Sequence, residues 1–308
     1  MKREAAADQS DHWQKGILYM IAGTAIVPGM DAIAKFLGDS LSPLQITWGR
    51  FLFQCLLMGC FIVLWHGPAT IRTSIFPTHA LRGLLLAAAT TLFFWSLQTL
   101  PLAVAISIFF VQPMILTLLS GLFLGEQIGW HRRIAVAVGF TGALIIIRPG
   151  AESFQATSLL PLCTAFLFSC YLALTRACAT IDPPPVMQFF SGISALVVLS
   201  LLLLPAAAGS ADWIRVSSPT ASQWFWLFMI GVISATGHLL VVMGMKNAPA
   251  SVLAPFGYVE IIAATLLGWF IFGEWPDRWT WIGIVIIIGS GIYVYYRERD
   301  SARAATRS

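Results

Sequence analysis

A chain of 308 residues that is 58% hydrophobic and only 10% charged falls well short of the roughly 25% charged residues an ordinary soluble domain carries. With a mean hydropathy of +0.81, it reads as an all-α integral membrane protein. Its net charge of +4 is spread over loops and tails, which excludes the basic face of a nucleic-acid binder.

The first thirteen residues are polar and lack the apolar core and cleavage site of a signal peptide, so no removal is expected and they read as a cytoplasmic tail. Ten apolar blocks follow, each near the ~20 residues that cross a bilayer as helix. The first, 14–37, contains Pro28-Gly29, a point where a helix bends, and then Asp31 and Lys35. These two lie four apart on one helical face and are expected to form an internal pair. The second, 42–65, carries Arg50, with lipid phosphate, the Asp31 pair and an anionic solute as its three open partners. The third, 79–99, holds Phe94 and Trp95 as candidate aromatic walls, with Gln98 at its end. The fourth, 101–124, contains Gln112 and runs into Gly125-Glu126; the fifth is 131–148.

The second half repeats this order with spans at 157–177, 184–206, 222–246, 249–272 and 278–297, followed by a polar tail, 298–308. His238 lies inside the eighth span, where an interhelical hydrogen bond and a proton role are both open. Glu260 sits twelve residues into the twenty-four-residue ninth span, beside Pro255 and Tyr258. A charge at that depth costs about 3 kcal/mol on insertion scales, so Glu260 is the strongest candidate for the substrate or proton path. Gly273-Glu274 closes this span. The five cysteines lie in or beside apolar spans without metal spacing and read as packing residues. No metal or cofactor site is expected.

With the N-terminus inside, thirteen of the 18 Lys and Arg residues fall in cytoplasmic segments and five on the other side, which places both termini in the cytoplasm. Arg82, near the start of its span, counts among the cytoplasmic thirteen. A shift of 148 superimposes Pro101 on Pro249, Gln112 on Glu260 and Gly125-Glu126 on Gly273-Glu274, while a shift of 141 aligns Lys35 with Arg176. Two five-helix repeats, 14–148 and 157–297, are therefore expected. Five being odd, the halves lie in opposite orientations, as in many secondary transporters. The glycine of each pair suits the left-handed turn past a helix end, and the glutamate is expected to meet the first N–H groups of the next helix. Ala135 stands where the second repeat has Gly283, so looser packing is expected for the fifth helix.

The stretches "LPLAVAISIFFVQPMILTLLSGLFLGEQIGWHRR" and "APASVLAPFGYVEIIAATLLGWFIFGEWPDRWTWIG", with "MDAIAKFLGDSLSPLQITWGRFLF" ahead of them, resemble the two EamA-type repeats of the drug/metabolite transporter superfamily. That resemblance spans Lys15 to Tyr296. It implies a bacterial-type inner-membrane secondary transporter for a small organic metabolite: an amino-acid derivative, an opine, a vitamin or a cofactor-like solute. Membrane lipids are the other expected contact, while a proton gradient and a homodimer stay open as drive and assembly. The competing class is an integral membrane enzyme, but the acids are scattered and neither HExxH nor a paired-histidine motif occurs; a Walker-type loop is absent too.

Overall fold

The computed structural model describes residues 2–123, 130–152, 154–178, 181–207, 216–248 and 250–305, and the regular elements among them are all helices, with no strand. In chain order they form α1 (Lys2–Leu37), α2 (Pro43–His66), α3 (Phe76–Ser96), α4 (Leu102–Phe109), α5 (Gln112–Phe123) and α6 (Trp130–Ile147). The second half follows with α7 (Leu160–Cys178), α8 (Pro184–Ala207), α9 (Ala221–Asn247), α10 (Ala250–Gly257), α11 (Val259–Phe272) and α12 (Arg278–Ala305). Among the described residues, seven stretches are long and apolar enough to cross a membrane, and 133–147 and 278–293 are shorter apolar helices. The protein is thus a multi-pass membrane protein.

Local chemistry explains several boundaries. Ser42 caps α2 by accepting the Gln45 N–H at 3.3 Å, with Pro43 pre-set at the first helical position. Thr220 and Gln223 cap α9 reciprocally, each side chain accepting the other's backbone N–H. Two apolar stretches are broken midway. Pro113 has no N–H for the ladder, so α4 gives way to α5 around Phe110 and Val111, and the corresponding break between α10 and α11 lies at Tyr258, three residues after Pro255.

The helices pack in crossed pairs: α1 against α9, α3 against α7, α2 against α8 and α6 against α12. Small residues set these distances, since lipid offers no hydrophobic force between helices and close backbone approach supplies the attraction. A Cβ at Gly283 would lie 2.7 Å from the Gly142 carbonyl oxygen, so α12 and α6 touch backbone to backbone. The looser packing expected from Ala135 is not found; Gly142 supplies the small residue two turns further along α6, and Ala135 is itself buried. One end of the bundle is closed by a buried cluster that includes Leu37, Leu97, Leu100, Leu102 and Ala264.

Candidate functional site

Between the halves lies a cavity of about 1060 Å³, lined from α1–α5 and from α7–α12. It runs from Asp31, Arg50 and Phe94 at the closed end to Thr175, Pro184 and the exposed Lys246 at the other. Both helix breaks open onto it. Gln112, first residue of α5, and Glu260, in the first turn of α11, line it together with Tyr258 and His238. An aromatic arc forms part of the wall: Phe93 on Phe109 with ring centroids 5.8 Å apart, Phe109 on Phe168 at 5.5 Å, and Phe110 on Tyr258 at 5.3 Å.

Arg50 is 3% exposed and rigidly held. Its Nε donates to Ser234 Oγ at 3.1 Å and its Nη1 to Thr90 Oγ1. Ser234 Oγ in turn donates a hydrogen bond to Gln54 Oε1 at 3.0 Å, and Gln54 Nε2 donates to Gln188 Oε1 at 3.0 Å, so four helices hold one guanidinium. His238 Nδ1 is 2.7 Å from the Ser234 carbonyl; that oxygen can only accept, so Nδ1 carries the proton and Nε2 is the acceptor. Asp31, also 3% exposed, and Glu260 make no hydrogen bond or ion pair among the described residues, although each lines the cavity.

The expected pair of Asp31 and Lys35 does not form. Lys35 Nζ instead lies 2.5 Å from Glu274 Oε1, donates to the Leu100 carbonyl at 2.7 Å, and stands 5.3 Å from the Phe272 ring centre. Its long side chain reaches a carboxylate just past the end of α11, which leaves Asp31 facing the cavity. Gly273 adopts the expected left-handed turn (φ 69°). Glu274, however, does not cap the helix that follows it: its Oε2 accepts the Leu102 N–H of α4 at 3.1 Å. The next helix, α12, is served by Asp277, whose Oδ1 accepts the Thr280 N–H at 2.9 Å. Gly125 and Glu126 lie outside the described residues.

Two sequence candidates fall away from the cavity. Trp95 is 51% exposed on the outer surface of α3, about 100° around the helix from its neighbour Phe94, which does line the cavity. Gln98 lies beyond α3, where its Nε2 bonds the Gly38 carbonyl at 3.3 Å. A residue counted with the cytoplasmic cations is central instead. Arg82 is 1% exposed, lines the cavity, and donates to Thr175 Oγ1 at 3.0 Å, to the Met187 carbonyl at 3.3 Å and to Tyr171 Oη at 3.3 Å. Its Nη1 is 3.0 Å from His79 Nδ1, and His79 Nε2 is 2.7 Å from Asp182 Oδ2.

Broken helices around a cavity lined by charged and aromatic side chains define a membrane protein that carries solutes. The chain belongs to the EamA-like transporter family, which matches it at residues 14–148 and again at 155–296. It is similar to the S-adenosylmethionine uptake transporter of Rickettsia bellii (30% identity over 286 residues, 93% of this chain and 95% of the relative). It is also similar to the riboflavin transporter of Vibrio cholerae (30% over 235 residues, 76% of each) and to the pseudopaline exporter CntI of Pseudomonas aeruginosa (24% over 281 residues, 90% and 95%). A solved crystal structure superposes with a TM-score of 0.63 at 18% identity, covering 94% of this chain and 98% of the other, and shows the fold alone. The protein is accordingly a small-metabolite transporter, not an enzyme.

Proposed function

We propose that the chain is a secondary transporter of ten membrane spans, built from two inverted five-helix repeats, that moves its cargo across the inner membrane by alternating access. The cavity carries this reading: it reaches one end of the bundle and is shut at the other, as one state of an alternating cycle requires. The inverted repeat is supported by the packing, because shifting each helix by one repeat converts the contact of α1 with α9 into that of α7 with α3. It likewise converts the contact of α10 and α11 with α1 into that of α4 and α5 with α7. With both termini cytoplasmic, the open end, which carries Lys246 and Pro184, faces the cytoplasm.

Asp31, Arg50, His238, Gln112, Tyr258 and Glu260 are the groups of the substrate or proton path. Cargo resembling that of the relatives named for S-adenosylmethionine and riboflavin has a planar ring system, which suits the arc of Phe93, Phe109, Phe110 and Tyr258. Counterflow in proteoliposomes tests the proposal. Radiolabelled S-adenosylmethionine or riboflavin outside should exchange against an internal unlabelled pool without ATP, and recovery of chemically altered solute in place of exchange would reject it.

A further inference from the structure

If the cavity is the cargo site of a transporter, its deep end holds more charge than it balances. Asp31 approaches from α1 and Glu260 from α11, two helices packed against each other, and both residues line the cavity. Arg50 on α2 lines the same cavity without an ion pair to Asp31 among the described residues, and its Nη2 makes no hydrogen bond among them. Arg82 is balanced by Asp182 through His79, and Lys246 is solvated at the mouth, so neither alters the count at the deep end. One guanidinium and two carboxylates remain. A carboxylate that is 3% exposed and unpartnered among the described residues is tolerable in a membrane only if the cavity supplies it with a cation or a proton.

The geometry points to Arg50, Asp31 and Glu260 as a zwitterion site for a solute with one more positive centre than negative. A carboxylate on the solute meets Arg50 Nη2, and two cationic centres meet Asp31 and Glu260. The planar part lies along Phe109, Phe110 and Tyr258, and His238 Nε2 accepts one N–H of the solute. The site thus distinguishes among the cargo types left open above: it favours a net monocation over a neutral ring compound of similar size.

S-adenosylmethionine and S-adenosylhomocysteine are suitable probes, since they differ only in the methyl group that makes the sulfur a cation. Equilibrium binding to the full-length protein in lipid nanodiscs should favour S-adenosylmethionine by about tenfold or more, the scale of one charge-assisted contact. Glu260→Gln and Asp31→Asn should each bring that ratio towards one, while Arg50→Gln weakens both probes alike. Equal binding of the two probes by the wild type, or an unchanged ratio in both carboxylate variants, overturns the proposal. So does a Glu260→Gln variant that loses accumulation driven by a pH gradient yet keeps the ratio, because its carboxyl would then bind a proton and not the solute. If neither probe binds, the proposal also falls, while riboflavin counterflow by the same preparation would leave the transport reading standing.

Discussion

Phe110 and Tyr258 meet ring to ring, with centroids 5.3 Å apart, at the two points where the apolar stretches break. They are 148 residues apart, the interval at which the two halves of the sequence superimpose. Residues related by a two-fold axis touch each other only if they lie beside it, so this contact marks the centre of the proposed repeat. The two rings should act as one unit. In a double-mutant cycle of Phe110→Ala and Tyr258→Ala, thermal unfolding should reveal a coupling of about 0.5–1.5 kcal/mol, the range for aromatic pairs. Strict additivity would remove the axis from this position.

Lys35 and Glu274 tie the end of α1 to the end of α11, and through Leu102 N–H to the start of α4. All three elements must separate if the closed end is to open. Glu274→Gln keeps the shape and removes the charge, so it should lower stability by about 1–2 kcal/mol. It should also expose the closed end more often. A cysteine introduced by Ala34→Cys, at a position now 1% exposed, should react faster with a hydrophilic maleimide in the Glu274→Gln background. Unchanged reactivity would confine the contact to a purely structural role.

Asp182 lies outside the spans, between α7 and α8. Burial alone would push its pKa up, but hydrogen bonds from Thr73 Oγ1 (2.6 Å) and from His79 Nε2 (2.7 Å) outweigh burial and hold it below the ordinary carboxylate value. A depressed folded-state pKa stabilises the protein above the unfolded pKa and ceases to do so as pH falls through the folded one. The melting temperature should therefore drop on acidification from pH 7 to about pH 3, and Asp182→Asn should be less stable at pH 7 and flatter across that range. A variant as pH-sensitive as the wild type would assign the effect elsewhere.

The proposed orientation places Asp39 on the far side and Ala69 in the cytoplasm, both at exposed positions. In intact cells an impermeant thiol reagent should label a cysteine introduced by Asp39→Cys and miss one introduced by Ala69→Cys. The opposite pattern would invert the topology and turn the open cavity outward.

What could be read in advance followed the cost of the residue. Glu260 stands out in the sequence because lipid penalises a mid-span charge whatever surrounds it. It does line the cavity. Gly273 was legible because its left-handed turn is a local property of the backbone. Partners were not legible, since they come from distant elements. Spacing favoured Asp31 for Lys35, yet the carboxylate that Lys35 reaches is 239 residues away. Trp95 and Phe94 are adjacent in sequence and equally aromatic, and only the rotation of α3 against its neighbours decides which of them faces the cavity. Arg82 was least visible of all, because an arginine a few residues inside a span looks like an interfacial cation until its acceptors on α7 and α8 are known.

Those acceptors make Arg82 the residue whose loss should harm the fold most. Its Nε, Nη1 and Nη2 bond Thr175, the Met187 carbonyl, His79 and Tyr171, which joins α3 to α7 and α8 around a guanidinium that is 1% exposed. Because arginine can only donate, His79 Nδ1 must accept, so His79 donates from Nε2 to Asp182 and the negative charge of that carboxylate is held one residue away from the cation. Arg82→Gln would strand Asp182 and His79 without the charge that balances them, at a cost of about 3–5 kcal/mol, the range for breaking a buried ionic arrangement. Arg82→Lys keeps the charge but replaces a planar fork by a single ammonium that cannot reach acceptors on both α7 and α8, so it should recover little of the loss. Thermal unfolding of the two variants alongside the wild type distinguishes the cases. Full recovery by lysine would mean that charge alone matters and that the directed hydrogen bonds to Thr175, Tyr171 and Met187 contribute nothing measurable.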